Sequence, residues 1–548
     1  MLNGKRYAAR FWVLSIFAMA WATTAAATVY HVGPAQGYTQ LAQVADLLDP
    51  GDTVLVDGDA TYQSVSFTRA GSAQAPIVIR GQRINGNRPV ISGGTNTVAF
   101  ISAWPYDSGA DHYVFEGFEV TGGSSRGVYH QSGDLTVRDV LVRDCPMHGI
   151  LGADQGAGSC LLEFVEVRHC GQGGSRHQIY MSTDQVNRPG SVFRMRHCYL
   201  HDGNGGNNVK SRAERNEIHY NWIEGGYYHE LELIGPDPDG VAPGWYHDLA
   251  REDSDVVGNV LRKRRTAAGN DSNFAVTRIG GDATGWTHGR YRFVNNTVIC
   301  GTGAVFRCFD TLESVEMHNN VFYRIGGGIN MMRTVEAGWV HDTAVIAGSN
   351  NWVYSGAINV PSQWTGTIFG TDPGFADYSS GDVRPATGSP LVNAGNPAPA
   401  SIPGMGFPSP TWPPSFQPPL RQAATAAAVR PAVAMIDIGA FECDPTGVAG
   451  GGAMPRPWRP ALAASPNPFS SSASVRYELP VPGRVRIVVY SVAGQRVRVL
   501  ADADRPAGRH EVDWDGRDGR GGETPAGLYL IELRSGNLRS RVSLVKVR

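Results

Sequence analysis

Three segments of this chain carry side chains suited to acid–base chemistry and can be laid over one another: H-Q-I-Y-M-S at His177–Ser182, N-N-V-K-S-R at Asn207–Arg212 and H-E-L-E-L-I at His229–Ile234. Between them they hold an amine (Lys210), a guanidinium (Arg212), a phenol (Tyr180), two imidazoles (His177, His229) and two carboxylates (Glu230, Glu232). An amine or imidazole takes a proton, a guanidinium stabilises an oxyanion, and a phenol returns a proton to a leaving oxygen. Glu230 and Glu232 point the same way on one strand, about 7 Å apart. That separation suits inverting glycoside hydrolysis, which needs two carboxylates ~6.5–9.5 Å apart. With Asp237 and Asp239 in G-P-D-P-D-G close by, the same carboxylates form a candidate Ca²⁺ site. Without a metal, Lys210 and Glu232 are an opposite-charge cross-strand pair, and Glu232 favours the ammonium form of the lysine, the wrong direction for a base.

The elements that position these residues follow from their spacing. Each segment alternates around one aliphatic residue, Ile179, Val209 or Leu231, and these recur at offsets of 30 and 22. Short strands at that interval, punctuated by Gly and Asn, fit parallel strands stacked ~4.8 Å apart in a solenoid. The neighbours of the buried row then form outward columns: Gln178, Asn208 and Glu230; Tyr180, Lys210 and Glu232; Ser182, Arg212 and Ile234. Arg278 and Arg307, on later rungs, extend a basic face. His201 lies near the same rungs.

Composition agrees with such a fold. The chain has 548 residues, beyond one ordinary compact core, but a solenoid grows by adding coils. Glycine is 68 of these, about 12% against a usual ~7%, which suits a tight turn at every corner. The formal charge of -2 gives no basic excess for nucleic acid. Lys5, Arg6 and Arg10 precede the apolar run Phe11–Trp21, and Ala25–Ala27 offer a cleavage site, so residues 1–27 read as an export signal. The mature protein is expected outside the cytoplasm, monomeric and without a membrane anchor. Of seven cysteines, Cys145 and Cys170 close the matching segments R-D-C and R-H-C and should sit one rung apart, as a disulfide or as stacked buried thiols.

Along the chain, Leu41, Val44, Ala45 and Leu48 recur at a helical period, so a helix over Thr39–Leu48 should cover the open end of the solenoid. Strands are expected at Tyr30–Gly33, Thr53–Val56, Pro76–Arg80, Pro89–Ser92 and Tyr113–Val120. Repeats follow at Leu135–Val142, Leu162–Val167, Val192–Leu200, Glu217–Ile223, Asp255–Leu261, Tyr291–Ile299, Val315–Phe322 and Val345–Val353. In the later ones Asn221, Asn259, Asn296, Asn320 and Asn351 each precede two mostly apolar residues. One such residue per coil, at a bend that tolerates left-handed backbone, builds a hydrogen-bonded ladder.

This combination of asparagine ladder, capping helix and coil length resembles the right-handed parallel β-helix of the pectate-lyase-like superfamily. The phrases G-S-P-L-V-N-A-G at Gly388–Gly395 and I-D-I-G-A-F-E at Ile436–Glu442 are similar to those that close secreted members. The resemblance implies an all-β fold: a right-handed parallel β-helix over residues 28–444, a linker over 445–463 and a small β-sandwich over 464–548. It also implies a carbohydrate-active protein, with β-elimination on an acidic, uronate-containing polysaccharide as the leading activity. Lys210 in V-K-S-R is similar to the base of the alginate lyase and chondroitinase B family. Arg212 stands in for an arginine which that family carries one rung later, where this chain has L-E-L-I-G. Tyr180 and His177 complete the catalytic candidates, and Asn208, Glu232, Arg278 and His229 are substrate-binding candidates. Glu230, Glu232 and Asp237 are the candidate Ca²⁺ ligands. Motifs of the polygalacturonase kind (N-T-D, D-D, G-H-G, R-I-K) are absent, which ranks hydrolysis second. A non-catalytic glycan-binding or adhesive surface protein, or a spacer, is the alternative from another class.

The proline-dense stretch between Asn396 and Arg421 reads as a strap over the last coils. In the tail, strands are expected at Val475–Leu479, Val485–Tyr490, His510–Trp514, Gly527–Glu532 and Val542–Val547. The phrases S-P-N-P-F, Y-E-L-P, V-Y-S-V-A-G-Q-R-V, G-R-H-E-V-D-W-D-G-R-D and P-A-G-L-Y-L resemble the sorting domains of type IX secretion and the immunoglobulin-like domain of flagellar hook-capping proteins. That implies an export and surface-attachment address, with a type IX-like machinery as partner.

Overall fold

In the computed structural model, residues 27–443 and 463–547 are described, apart from 107, 236–251, 265–274, 282–288, 310–311, 325–326, 335–344, 408–412, 432–434, 480–482, 493, 506–507 and 536–537. The expected export signal up to residue 26, the linker, Asp237 and Asp239 lie outside the described residues. The chain divides into two compact units, 1–448 and 449–548.

The first unit is a right-handed parallel β-helix wound from three sheets of 13, 12 and 11 strands. One coil takes a strand from each sheet in turn, as in Val192–Arg196, Tyr199–His201 and Val209–Arg212. Neighbouring coils pair in parallel register, so equivalent side chains stack along the axis. Ile150, Ile179, Val209 and Leu231 are mutually aligned and wholly buried, forming the interior row that their spacing predicts.

The eight repeats are not single strands. Each breaks into two at a residue in left-handed conformation: Asp139, Phe164, His197, Tyr220, Gly258, Asn295, Asn319 or Asn350. The expected strand Tyr113–Val120 breaks likewise, at Gly117. A side chain with φ > 0 is tolerated at asparagine but costly at an aromatic residue. Here the aromatics support one another. Phe164 stacks on His197 at 5.4 Å and His197 on Tyr220 at 5.5 Å, and Phe416 meets the last two edge-on.

The ladder asparagines sit one position after the left-handed residue, not at it, and all are fully buried. The Asn221 amide donates to Asn259 Oδ1 (2.9 Å) and to the Met195 carbonyl (2.9 Å), and the pattern repeats through Asn296 and Asn320 to Asn351. In earlier coils the same position is Phe118, Val140, Val165 or Cys198, so the ladder replaces an apolar stack partway along the axis.

The N-terminal helix is shorter than its periodicity predicts, covering only Ala42–Ala45. Gln43 Oε1 accepts the backbone N–H groups of Thr39 and Gln40, which fixes the turn leading into the helix. Leu41, Val44, Ala45 and Leu48 are nonetheless all buried in the solenoid core. All seven cysteines are free thiols, so Cys145 and Cys170 take the buried-thiol form of the pair.

The strap reaches further than the last coils. Asn396 N–H donates to Asn319 Oδ1, Ile402 N–H to Glu316, and the Gly406 carbonyl accepts from Arg290. Ser415 N–H then bonds the Tyr220 hydroxyl and Arg421 pairs with Glu224, so the segment runs back along the axis to the middle of the solenoid.

The second unit packs a three-stranded antiparallel sheet and a four-stranded one around Phe469, Val475, Ile487, Trp514 and Ile531, a small β-sandwich. Strands Ala463–Ser465 and Arg496–Arg505 join the five expected from the sequence.

Candidate functional site

The site builds on the 11-stranded sheet. Tyr180 pairs with Lys210 and Lys210 with Glu232, as the offsets predict, and Glu232 pairs in turn with Arg278. The register continues through Arg307 to Arg333, and upstream through Leu151 to Tyr129. One outward column therefore holds Lys210, Arg278, Arg307 and Arg333 against the single acid Glu232, one side chain per rung of about 4.8 Å. Tyr180, Lys210, Arg278 and Arg307 are half-buried and Arg333 is exposed.

Contacts within the column set its electrostatics. The Lys210 ammonium lies 5.1 Å from the centre of the Tyr180 ring. Glu232 is 3% exposed and accepts from Arg278 Nη1 at 2.5 Å and from the Asn207 amide. Phe309 lies under both Arg278 and Arg307, with guanidinium carbons 4.1 and 4.6 Å from its ring centre. Desolvated cation–π contact of this kind holds a guanidinium flat and fixes its plane.

Beside the column, at the corner where the chain enters the sheet, runs a second ladder. His177 N–H donates to His148 Nδ1 (3.1 Å), Asn207 N–H to His177 Nδ1 (2.9 Å) and His229 N–H to Asn207 Oδ1 (3.0 Å). Accepting at Nδ1 places the proton of His148 and His177 on Nε2. His229 is opposite: its Nδ1 donates to the Ala275 carbonyl at 2.6 Å. Burial lowers the His148 and His229 imidazoles to about 4 and holds His177 well below its ordinary value, so all three are neutral near pH 7. His177 meets the Tyr180 ring edge-on at 5.6 Å and so fixes its orientation.

Two of the three expected outward columns are closed. Gln178, Asn208 and Glu230 are fully buried, because they lie at the corner and turn inward to bond one another and the preceding strand. The Asn208 amide donates to Glu230 Oε2 (2.5 Å), which also accepts Gly226 N–H, and the buried Lys263 ammonium stands 3.9 Å away. Burial pushes the Glu230 carboxyl up to about 7 against the pull of Lys263. Asn208 and Glu230 therefore brace the site from below. In the third column Ser182 and Ile234 are buried, and Arg212, 2% exposed, donates to the Gly235 carbonyl at 2.7 Å. Arg212 belongs to the packed wall, and the guanidinium at the open surface beside Lys210 and Glu232 is Arg278. His201 stands on a different sheet, between Asp202 and Glu166.

These positions bear on the candidate chemistries. Glu230 and Glu232 do not share an open side, which removes the carboxylate pair that inverting hydrolysis would use. Both are already engaged by N–H donors and neighbouring cations, a setting that does not fit a hard dication. No cluster of three metal-binding side chains occurs among the described residues.

His148, Phe309, Lys263 and Arg333 escape the segment comparison, whereas Asn207 opens its segment in line with His177 and His229. His148 has a legible signal: H-G-I-L at His148–Leu151 repeats the pattern of H-Q-I-Y at His177–Tyr180. The others depend on register or on chain that folds back, and no local pattern marks them.

Residues 469–538 match the family of the FlgD Ig-like domain, so the second unit contains such a domain. No curated protein matches the chain. Among solved structures it is similar to pectate lyase Pel9A (13% identity, TM-score 0.39, covering 77% of this chain and 97% of that one). It is also similar to an alginate lyase from Paenibacillus sp. str. FPU-7 (17% identity, TM-score 0.37, 57% of this chain and 99% of that one). A third likeness is to tailspike protein gp49 from Acinetobacter baumannii bacteriophage Fri1, a capsular polysaccharide depolymerase (9% identity, TM-score 0.32, 94% and 78%). At such distances the chemistry has to be argued from this chain's own residues. The class they define is a right-handed parallel β-helix joined to a FlgD Ig-like domain. No helix among the described residues is long and apolar enough to cross a membrane.

Proposed function

We propose that the β-helix binds an acidic, uronate-containing polysaccharide along the column from Tyr180 to Arg333 and cleaves it by β-elimination. The observation that carries this reading is the register that stacks Lys210, Arg278, Arg307 and Arg333 on successive rungs around one clamped acid. In the proposed reaction Arg278, oriented by Glu232 and Phe309, neutralises the substrate carboxylate and makes the neighbouring C–H more acidic. Lys210, as the free amine, takes that proton; the electron pair forms a C=C bond as the C–O bond to the next sugar breaks. Tyr180 donates its proton to the leaving oxygen. The protein is then a secreted or surface-attached polysaccharide lyase, and the second unit is its export and surface address, of the type IX kind. The FlgD Ig-like match and the basic–apolar–small pattern of residues 1–27 support that part.

The test is incubation with alginate, pectate and glycosaminoglycans, following the ultraviolet absorbance of unsaturated uronate. Product from at least one polymer is expected, lost in Lys210→Ala with an unchanged circular dichroism spectrum. Saturable binding with no product from any polymer would sink β-elimination. It would also establish the second reading, glycan binding without cleavage, which one observation favours: the Tyr180 ring, 5.1 Å from the Lys210 nitrogen, stabilises the ammonium over the amine that a base requires.

A further inference from the structure

The four-stranded sheet of the C-terminal unit turns one face to its core and leaves the other open. In strand Gly483–Ser491, Val485, Ile487 and Val489 point inward, so Arg486, Val488 and Tyr490 point out. In strand Gly527–Ser535, Tyr529, Ile531 and Leu533 point inward and Leu530, Glu532 and Arg534 point out. The antiparallel register sets Arg486 opposite Arg534, Val488 opposite Glu532, and Tyr490 opposite both Leu530 and Arg496. Together Arg486, Val488, Tyr490, Arg496, Glu532 and Arg534 line a cavity of about 390 Å³. That lies within the ~300–1,000 Å³ of small-ligand sites.

Three guanidiniums thus border one carboxylate over a floor made by Val488 and the Tyr490 ring. The carboxylate is committed: Glu532 is 2% exposed and accepts from Arg534 Nε (2.5 Å) and Arg541 Nε (2.6 Å). It orients Arg534 and Arg541 at the rim of the groove. Arg486 forms only a loose, solvent-exposed pair with Asp502 at 3.8 Å. Residues 463–548 carry fourteen Lys and Arg against nine Asp and Glu, in a chain whose net charge is negative.

We propose that this groove is a binding site for an acidic saccharide unit, separate from the β-helix column and independent of whether that column cleaves anything. A planar guanidinium fork matches a carboxylate, sulfate or phosphate substituent, and an aromatic ring beside it stacks on a sugar face. An acidic peptide fits less well. Extended peptides are usually captured by strand addition at an open sheet edge. The groove instead lies over the outer face of the two central strands, whose backbones are already paired on both sides, with Arg496 reaching in from the neighbouring edge strand.

The test is made on the full-length chain by calorimetric titration with a short oligouronate. The column is first disabled by Arg278→Gln with Arg307→Gln. The groove is then changed by Arg486→Gln with Arg534→Gln and, separately, by Tyr490→Ala, with melting curves checking the fold. The column variant is expected to keep one saturable site, and each groove change to weaken it about tenfold or more, whereas a neutral oligosaccharide does not bind. Arg486→Lys keeps the charge but loses the fork, and should weaken binding less than the double change. Unchanged binding in the groove variants, no residual site in the column variant, or equal competition by poly-glutamate would each overturn the proposal. Turnover by a chain with an intact column is not expected to respond to the groove substitutions, so this proposal and the lyase reading fail separately.

Discussion

Lys210 stands between two neighbours that pull it toward different tasks. The Tyr180 face stabilises its cation and positions a phenol beside it, whereas Glu232 is already committed to Arg278 and Asn207. If Lys210 is the base, Lys210→Ala should lower kcat by about 10²–10⁴ with a small change in KM. Arg333→Gln, at the exposed end of the same column, should raise KM with kcat nearly unchanged; steady-state kinetics on the best polymer separates the two. A chelator should leave turnover as it was, because Glu230 and Glu232 face Lys263 and Arg278 rather than a dication. Loss of activity in EDTA restored by Ca²⁺ would reverse that assignment. At this scale the sequence was half legible. The partners of Lys210 followed from offsets of 30 and 22. The inward turn of Glu230 did not, because alternation around Leu231 treats both its neighbours as outward.

At the scale of the element, the ladder asparagines show how one residue per coil can hold a corner. Asn296 donates to the Val256 carbonyl and to Asn320 Oδ1, and its own Oδ1 receives two donors from Asn259. Asn296→Ala removes these bonds and leaves buried partners unsatisfied, at a cost of roughly 2–4 kcal/mol in chemical denaturation. Cys198→Ala, at the equivalent position of an earlier coil, loses mainly packing and should cost less. The ladder was visible in the sequence because asparagine recurs before apolar pairs. The break it marks was not, because over the eight repeats the left-handed residue is as often Tyr, His or Phe as Asn. Those aromatics hold the conformation through stacking with residues whole coils away, and with Phe416 of the strap.

Over the whole molecule, buried histidines link stability to pH. Burial holds His130, His148, His197 and His229 near 4 and His219 near 3, with His177 also far below its usual value. Unfolded histidine titrates near ~6.5, so between about pH 6.5 and 4 the unfolded chain binds more protons. Their stabilising contribution is complete above that window and drains as pH falls through it, by at most ~1.4 kcal/mol per pH unit for each histidine. Glu230, with a folded value of about 7, acts in the opposite sense, as do Glu214 and Glu442, whose carboxyls burial also raises, but these are three groups against six. The melting temperature of the β-helix should therefore drop steeply from pH 6.5 to 4. A flat profile there would mean that these imidazoles are not buried as described.

What the amino-acid sequence determined alone is the interior: which aliphatic residues stack, which residues share a rung, and that a small sandwich follows a long solenoid. Those features repeat, and a repeat of period 2 within strands and one coil between them is written locally. Only the tertiary structure decided which outward residues stay open. Arg212 and Asn208 were closed off, Arg278 and Arg333 were left at the surface, and the strap crossed back from residue 396 to Tyr220 and Glu224. Exposure depends on how each corner turns and on chain that returns from elsewhere in the sequence, and no local pattern of residues encodes either.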